Sequence, residues 1–93
     1  MDEVTNIDIQ PVKPNKGLVA FVSFTYAGLI LSSVAVYSKL DGSGYRVVYP
    51  DRFLPNGKKM QVFYPENREI GEKISNAITK KYEEFLNGIA RNE

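Results

Sequence analysis

The chain has 93 residues, and its 12 basic and 11 acidic side chains leave a net charge of +1. Cysteine and histidine are both absent, which excludes disulfides, thiolate metal sites and the commonest general base. The near-neutral balance also excludes a strongly basic nucleic-acid footprint, so any electrostatic partner has to be met by a local patch.

Residues Val4 to Lys13 read as a first strand, with Ile7 and Ile9 alternating with Asp8 and Gln10. Pro11 and Pro14 suit an edge position, because proline cannot donate to a ladder. Asn15-Lys16-Gly17 is a hairpin signal. Leu18 to Tyr26 is a second strand, with Leu18, Ala20, Val22, Phe24 and Tyr26 on one face and Val19 and Phe21 on the other. Ala27-Gly28 turns the chain into a third strand, Leu29 to Tyr37. Simple alternation there sets Ile30, Val34 and Val36 opposite Leu29, Leu31, Ala35 and Tyr37. Asp41-Gly42-Ser43-Gly44 is a loop, Tyr45 to Tyr49 a fourth strand ended by Pro50, and Met60 to Tyr64 a short fifth one.

From Asn67 the period changes. Ile70, Ile74, Ala77, Ile78, Tyr82 and Phe85 recur at helical spacing. Asn67 is the N-cap, Glu69 lies in the first turn, Glu69 and Lys73 form an i,i+4 pair, and Gly88 is the terminator. Such a helix is about 20 residues, or roughly 30 Å, long.

The expected class is α+β: a small, mostly antiparallel sheet of about five strands followed by one long C-terminal helix. One domain is expected, with a core over about residues 4–86 and a frayed tail over 87–93. A chain this short buries roughly 60–65% of its unfolded surface, so its core is small. One helix covers one side of the sheet, yet the second and third strands read as apolar on both. Either a second copy covers the other side, or the N-terminal segment or the long loop folds over it. The two-fold dimer is the simpler solution. Its contact is expected at Val19, Phe21, Leu29 and Leu31.

Asp2 and Glu3 open the chain with no apolar signal core behind them. The longest apolar stretch, about residues 27–36, is interrupted by Gly28, Ser32 and Ser33 and is too short for a membrane span. A soluble, cytoplasmic protein with no membrane partner is expected.

Catalytic constellations are missing. Glu83 and Glu84 are neighbours on a helix and point in different directions. Asp41 and Asp51 lie in turns, where aspartate usually serves the backbone. Asp-Gly-Ser-Gly has no Walker lysine and no helix after it. No enzyme activity, metal, cofactor or small-molecule substrate is expected. The basic residues Arg52, Lys58, Lys59 and Arg68 are more informative. No acid lies between Arg52 and Lys59, and Tyr49, Phe53, Phe63 and Tyr64 are close in sequence. A basic loop with aromatic neighbours grips phosphates and stacks on bases. The same composition also makes a solvated hairpin loop whose lysines keep an edge from pairing.

The run Tyr49-Pro50-Asp51, Arg52-Phe53-Leu54, Pro55-Asn56-Gly57, with Tyr64-Pro65 seven residues on, resembles the SpoVG (septation protein) family. Members carry Met-Pro-Ser, a few variable and often basic residues, Pro-Asp-Gly, and a His-Pro just before the single main helix. Val4-Thr5-Asn6-Ile7-Asp8-Ile9 is similar to the family's opening strand, Val34-Ala35-Val36 to its Ile-Arg-Val strand, and Ile70 to Tyr82 to its helix. The resemblance runs from about Val4 to about Phe85. This chain departs at Asp51, Phe53, Ala35 and Tyr64, which stand where members have serine, a basic residue, arginine and histidine. The resemblance implies a sheet-plus-helix homodimer that binds DNA and RNA as a bacterial regulator of septation and sporulation. Arg52, Lys58, Lys59 and Arg68 are its candidate nucleic-acid contacts, with Lys73, Lys80 and Lys81 on the helix as the next candidates. The alternative is a protein-interaction module of the same fold without nucleic-acid binding.

Overall fold

The computed structural model describes residues 3–91. Strands β1 (Thr5–Asn15), β2 (Leu18–Tyr26), β3 (Leu29–Ser38) and β4 (Tyr45–Val48) form one antiparallel sheet in chain order. Strands β5 (Asp51–Phe53) and β6 (Lys59–Gln61) pair only with each other, and helix α1 (Arg68–Arg91) follows.

Local chemistry explains the elements. β1, with Pro11 and Pro14, pairs with β2 alone and so tolerates residues that cannot donate. Both tight hairpins turn on two successive positive φ angles, 53° and 91° at Lys16 and Gly17, and 53° and 79° at Ala27 and Gly28. This turn matches the right-handed twist of the flanking strands. Asn67 caps α1, its Oδ1 accepting from the Ile70 N–H at 2.9 Å.

The helix lies across one face of the sheet. Ile74, Ile78 and Tyr82 pack on Ala20, Val22 and Phe24 of β2 and on Val34 and Val36 of β3, and all of these are buried. The Tyr82 ring meets Tyr45 edge-on at 5.0 Å and stacks on Phe85 at 6.3 Å. The helical stripe predicted by spacing is the stripe that packs.

Simple alternation fails in β3. Val22 pairs with Val34, but Phe24 pairs with Leu31, so Ser32 and Ser33 together oppose Ser23. This is a β-bulge, and Ser33 takes a φ of +64°. The extra residue reverses the phase of the strand. Leu29 and Leu31 therefore share the helix-covered face with Val34 and Val36. A second irregularity between Leu18 and Ala20 leaves Val19 packed against the core.

Two other readings are corrected. The fifth strand joins no main sheet, because Pro50 has no N–H to extend β4 and the chain leaves as a separate hairpin. Gly88 does not end the helix, which continues to Arg91. A glycine inside a helix costs about 1 kcal/mol, which a 24-residue helix absorbs. Residues 92 and 93 of the expected tail lie outside the described residues.

Candidate nucleic-acid interface

After Val48 the chain enters a two-stranded arm. Its neck is held by the Val62 N–H donating to the Pro50 carbonyl at 2.8 Å and by Tyr49 meeting Phe63 edge-on at 6.0 Å. The Tyr49 hydroxyl is buried here with no hydrogen-bond partner among the described residues, and burial pushes its pKa up. The tip closes through Leu54 N–H to Lys58 O at 2.8 Å and Gly57 N–H to Leu54 O at 2.9 Å. All the β5 and β6 residues are exposed.

Register sorts the candidate cations. Asp51 opposes Gln61 and Phe53 opposes Lys59, which places these four on one face of the arm. Arg52 opposes Met60 on the other. Arg52 and Lys59 therefore point apart. Lys59 lies 3.4 Å from the Asp51 carboxylate. Arg68 sits at the helix start, where its Nε donates to Glu72 at 3.0 Å. Arg52 and Lys58 have no ion pair among the described residues. The four predicted contacts are thus two on the arm without acidic partners, one on the arm held by Asp51, and one on the helix held by Glu72. The acid-free run from Arg52 to Lys59 is real in sequence, but the hairpin brings Asp51 across to its end.

The four predicted dimer contacts lie on different surfaces. Phe21 pairs with Ala35 on the face away from the helix and is 39% exposed. Val19 and Leu31 pack against the core. Leu29, 62% exposed, lines an apolar crevice with Leu31, Tyr49, Phe63, Tyr64 and Ile70. Beside it Ile30 is 77% exposed, and β4 reaches only Ala35 of β3, so residues 29–34 have no strand on that edge among the described residues.

The sheet face away from the helix was not legible as a site from strand alternation alone. Leu18, Tyr37 and Arg46 stand in one row across three strands, and Gln10, Phe21, Ala35 and Val48 form the next row. The Arg46 guanidinium lies 5.4 Å from the centre of the Tyr37 ring. The signal for this end of the sheet is topological. In an up-and-down sheet the Lys16 turn and the Lys39–Gly44 loop fall at the same end, where the Ser38 N–H donates to Gly17 O at 2.8 Å.

Among the described residues no group of three or more acidic side chains is placed to hold a metal ion, and no helix is long and apolar enough to cross a membrane.

No family model matches the chain. Over 82 residues it is 30% identical to the septation protein SpoVG of Treponema denticola, covering 87% of this chain and 86% of that one. It is 30% identical over 86 residues to the septation protein SpoVG of Archaeoglobus fulgidus, covering 90% of this chain and 98% of that one. A third SpoVG, from Acetivibrio thermocellus, is 27% identical over 92 residues, with 98% and 96% covered. The likeness spans sheet, arm and helix together, and the chain belongs to the SpoVG septation-protein family.

Proposed function

We propose that this chain is a dimeric regulator that binds DNA or RNA, acts in the cytoplasm and has no catalytic activity. The observation that carries the reading is the arm. It exposes Arg52 and Lys58 without acidic partners, and on the face opposite Arg52, beside Lys59, it exposes Phe53, 72% accessible. Cations that meet phosphates and aromatic faces that meet bases are the two requirements of a sequence-tolerant grip. Two arms in a two-fold dimer double the cations offered to one backbone and offset the low net charge. The absence of cysteine and histidine supports a binding role over catalysis. The relatives' shared name attaches them to septation, and we carry that process to this chain as part of the proposal.

The dimer contact fits the free edge of β3. No charged residue lies between Ala27 and Ser38, whereas solitary edges are usually guarded by charge or proline. Leu29 and Ile30 supply the exposed apolar surface there. Light scattering on a sizing column should give twice 10.5 kDa at micromolar concentration, and Ile30→Lys should halve it. A parent that elutes with the mass of one chain ends the dimer reading.

The binding test is a titration of labelled single-stranded DNA, duplex DNA and RNA at two salt concentrations. Micromolar, salt-steep binding is expected. Lys58→Gln with Lys59→Gln should flatten the salt slope by about 1 to 2 per chain. Double-variant binding equal to that of the parent moves the site off the arm. No binding by the parent at low salt leaves the interaction module. That second reading is favoured by one observation: Asp51 and Glu72 each engage a candidate cation.

A further inference from the structure

We propose that the face of the sheet opposite the helix is a second nucleic-acid surface, a stacking platform for single strands. This rests on the nucleic-acid reading above and names its ligand class. Helix α1 covers one face, and among the described residues no element covers the other. Register places Phe21 and Tyr37 there on adjacent strands. They are diagonal neighbours, since Phe21 opposes Ala35 and Tyr37 follows Ala35 by two residues. Diagonal pairs on a sheet lie about 7–8 Å apart, so the two rings offer separate seats for two neighbouring bases. Arg46 lies over Tyr37 with its guanidinium 5.4 Å from the ring centre. A guanidinium plane is itself a stacking surface for a base. Gln10 and Ser23 supply hydrogen-bonding groups around Phe21, with the Gln10 Nε2 donating at 2.8 Å to Asp8, the acid that opposes Ser23 on this face.

Charge identifies the occupant. The row of Tyr37 and Arg46 lies at the end of the sheet where the β1–β2 turn meets the β3–β4 loop. Lys13, Lys16, Lys39 and Arg46 gather along these two segments, with Asp41 the one acid among residues 13–18 and 37–46. The Asp41 carboxylate is turned to its own loop, where it accepts from the Ser43 N–H at 2.9 Å. A polyanion is the complement of such an end. A protein partner fits less well around Tyr37 and Arg46, because Phe21 is the large apolar side chain exposed in the middle of the face, Ala35 beside it is 8% exposed, and Ile30, 77% exposed on the same face, lies towards the other end of the sheet. That is little apolar area for an interface core, whereas base stacking needs a ring. Single strands are favoured over duplexes because only unpaired bases present their faces to a sheet. The arm grips phosphates without regard to strandedness, so the two surfaces differ in what they discriminate.

The experiment is a fluorescence-anisotropy titration of a labelled 12-nucleotide oligo-dT and of a matched duplex, with the parent, Tyr37→Ala, Arg46→Gln and Lys58→Gln/Lys59→Gln. Melting curves of each variant accompany it. Ultraviolet cross-linking of the parent to oligo-dT, read by mass spectrometry, locates the contact without any substitution. The expected result is a loss of about 10-fold or more in oligo-dT affinity for Tyr37→Ala. A smaller loss is expected for Arg46→Gln, little change for the duplex, and cross-links on Phe21 or Tyr37. If the parent binds oligo-dT, both sheet variants bind it equally well and the cross-links fall on residues 52–59, the platform is overturned and the arm stands. If Phe21→Ser halves the mass of the parent on a sizing column, the face holds a second copy and the platform is again overturned. A parent that binds no nucleic acid of any kind removes the function itself.

Discussion

Asp51 and Lys59 face the same side of the arm, with Oδ2 and Nζ 3.4 Å apart. The pair is partly exposed, with 31% of the Asp51 side chain and 59% of the Lys59 side chain accessible. It holds Lys59 away from a phosphate and adds a negative charge to the surface proposed to meet one. Asp51→Ser should free the lysine. An exposed pair of this kind is worth roughly 0.2–1 kcal/mol, so nucleic-acid affinity should rise by about 1.5- to 5-fold. Unchanged or weaker binding by Asp51→Ser, measured beside the parent at low salt, would show that the arm is not where phosphates lie.

Ile78 is fully buried between β2, β3 and the helix. Ile78→Ala removes three carbons and leaves a cavity, and should cost roughly 2–5 kcal/mol in urea unfolding. Lys80→Ala, two residues on and exposed, should stay within about 0.5 kcal/mol of the parent. Equal midpoints for the two variants would contradict the packing described.

Ala27 holds a φ of +53° at the first position of the β2–β3 turn. The left-handed region costs an alanine roughly 1–2 kcal/mol, whereas asparagine tolerates it and Asn-Gly is the preferred pair for this turn. The side chain is exposed, so nothing else is disturbed. Ala27→Asn should raise the thermal midpoint by several degrees, by about 1 kcal/mol of stability. A lower midpoint would place the turn in another conformation.

Tyr49 and Tyr82 both titrate above the ordinary phenol value of 10.0, mainly because burial disfavours the phenolate; for Tyr82 the Tyr45 charge adds to it. The sign follows directly. Below pH 10 both phenols are neutral folded or unfolded, and their contribution is intact. Above it the unfolded chain ionises first, so stability falls as pH climbs from about 10 through the higher folded values. Urea midpoints at pH 8, 10 and 11 should decline only over the upper interval, and Tyr49→Phe should decline less. A flat profile in the parent would mean that both rings are solvated. Tyr49→Phe should also keep or raise stability at pH 8, since its hydroxyl has no partner among the described residues.

The helix and the first two strands were legible because their signals are local and repeat. Ile70, Ile74, Ile78 and Tyr82 state a period, and Asn67 states where it begins. The mistakes came from single residues that act on everything after them. Alternation assigns Leu29 and Leu31 to the wrong face because the serine pair at 32 and 33 inserts one residue, which no average over a window detects. The charge pattern of the candidate site was partly hidden in a similar way. Charge counting saw no acid between Arg52 and Lys59, and pairing in the hairpin set Asp51 beside Lys59 from outside that run. The open face required knowing which strands are neighbours, since Tyr37 and Arg46 are brought together by register alone.

The arm carries a thermodynamic consequence. A two-stranded ribbon in water is marginal by itself, and this one is tied to the body at the Val62–Pro50 hydrogen bond and the Tyr49–Phe63 ring contact. Its order is therefore tied to that of the sheet through this neck, and a nucleic acid bound as proposed would bear part of the loss of freedom. Calorimetry of such binding shows a large favourable heat opposed by entropy. If the arm binds as proposed, stiffening the neck should lower that opposing entropy, so substitutions at residues 49 and 63 should change affinity from outside the exposed tip.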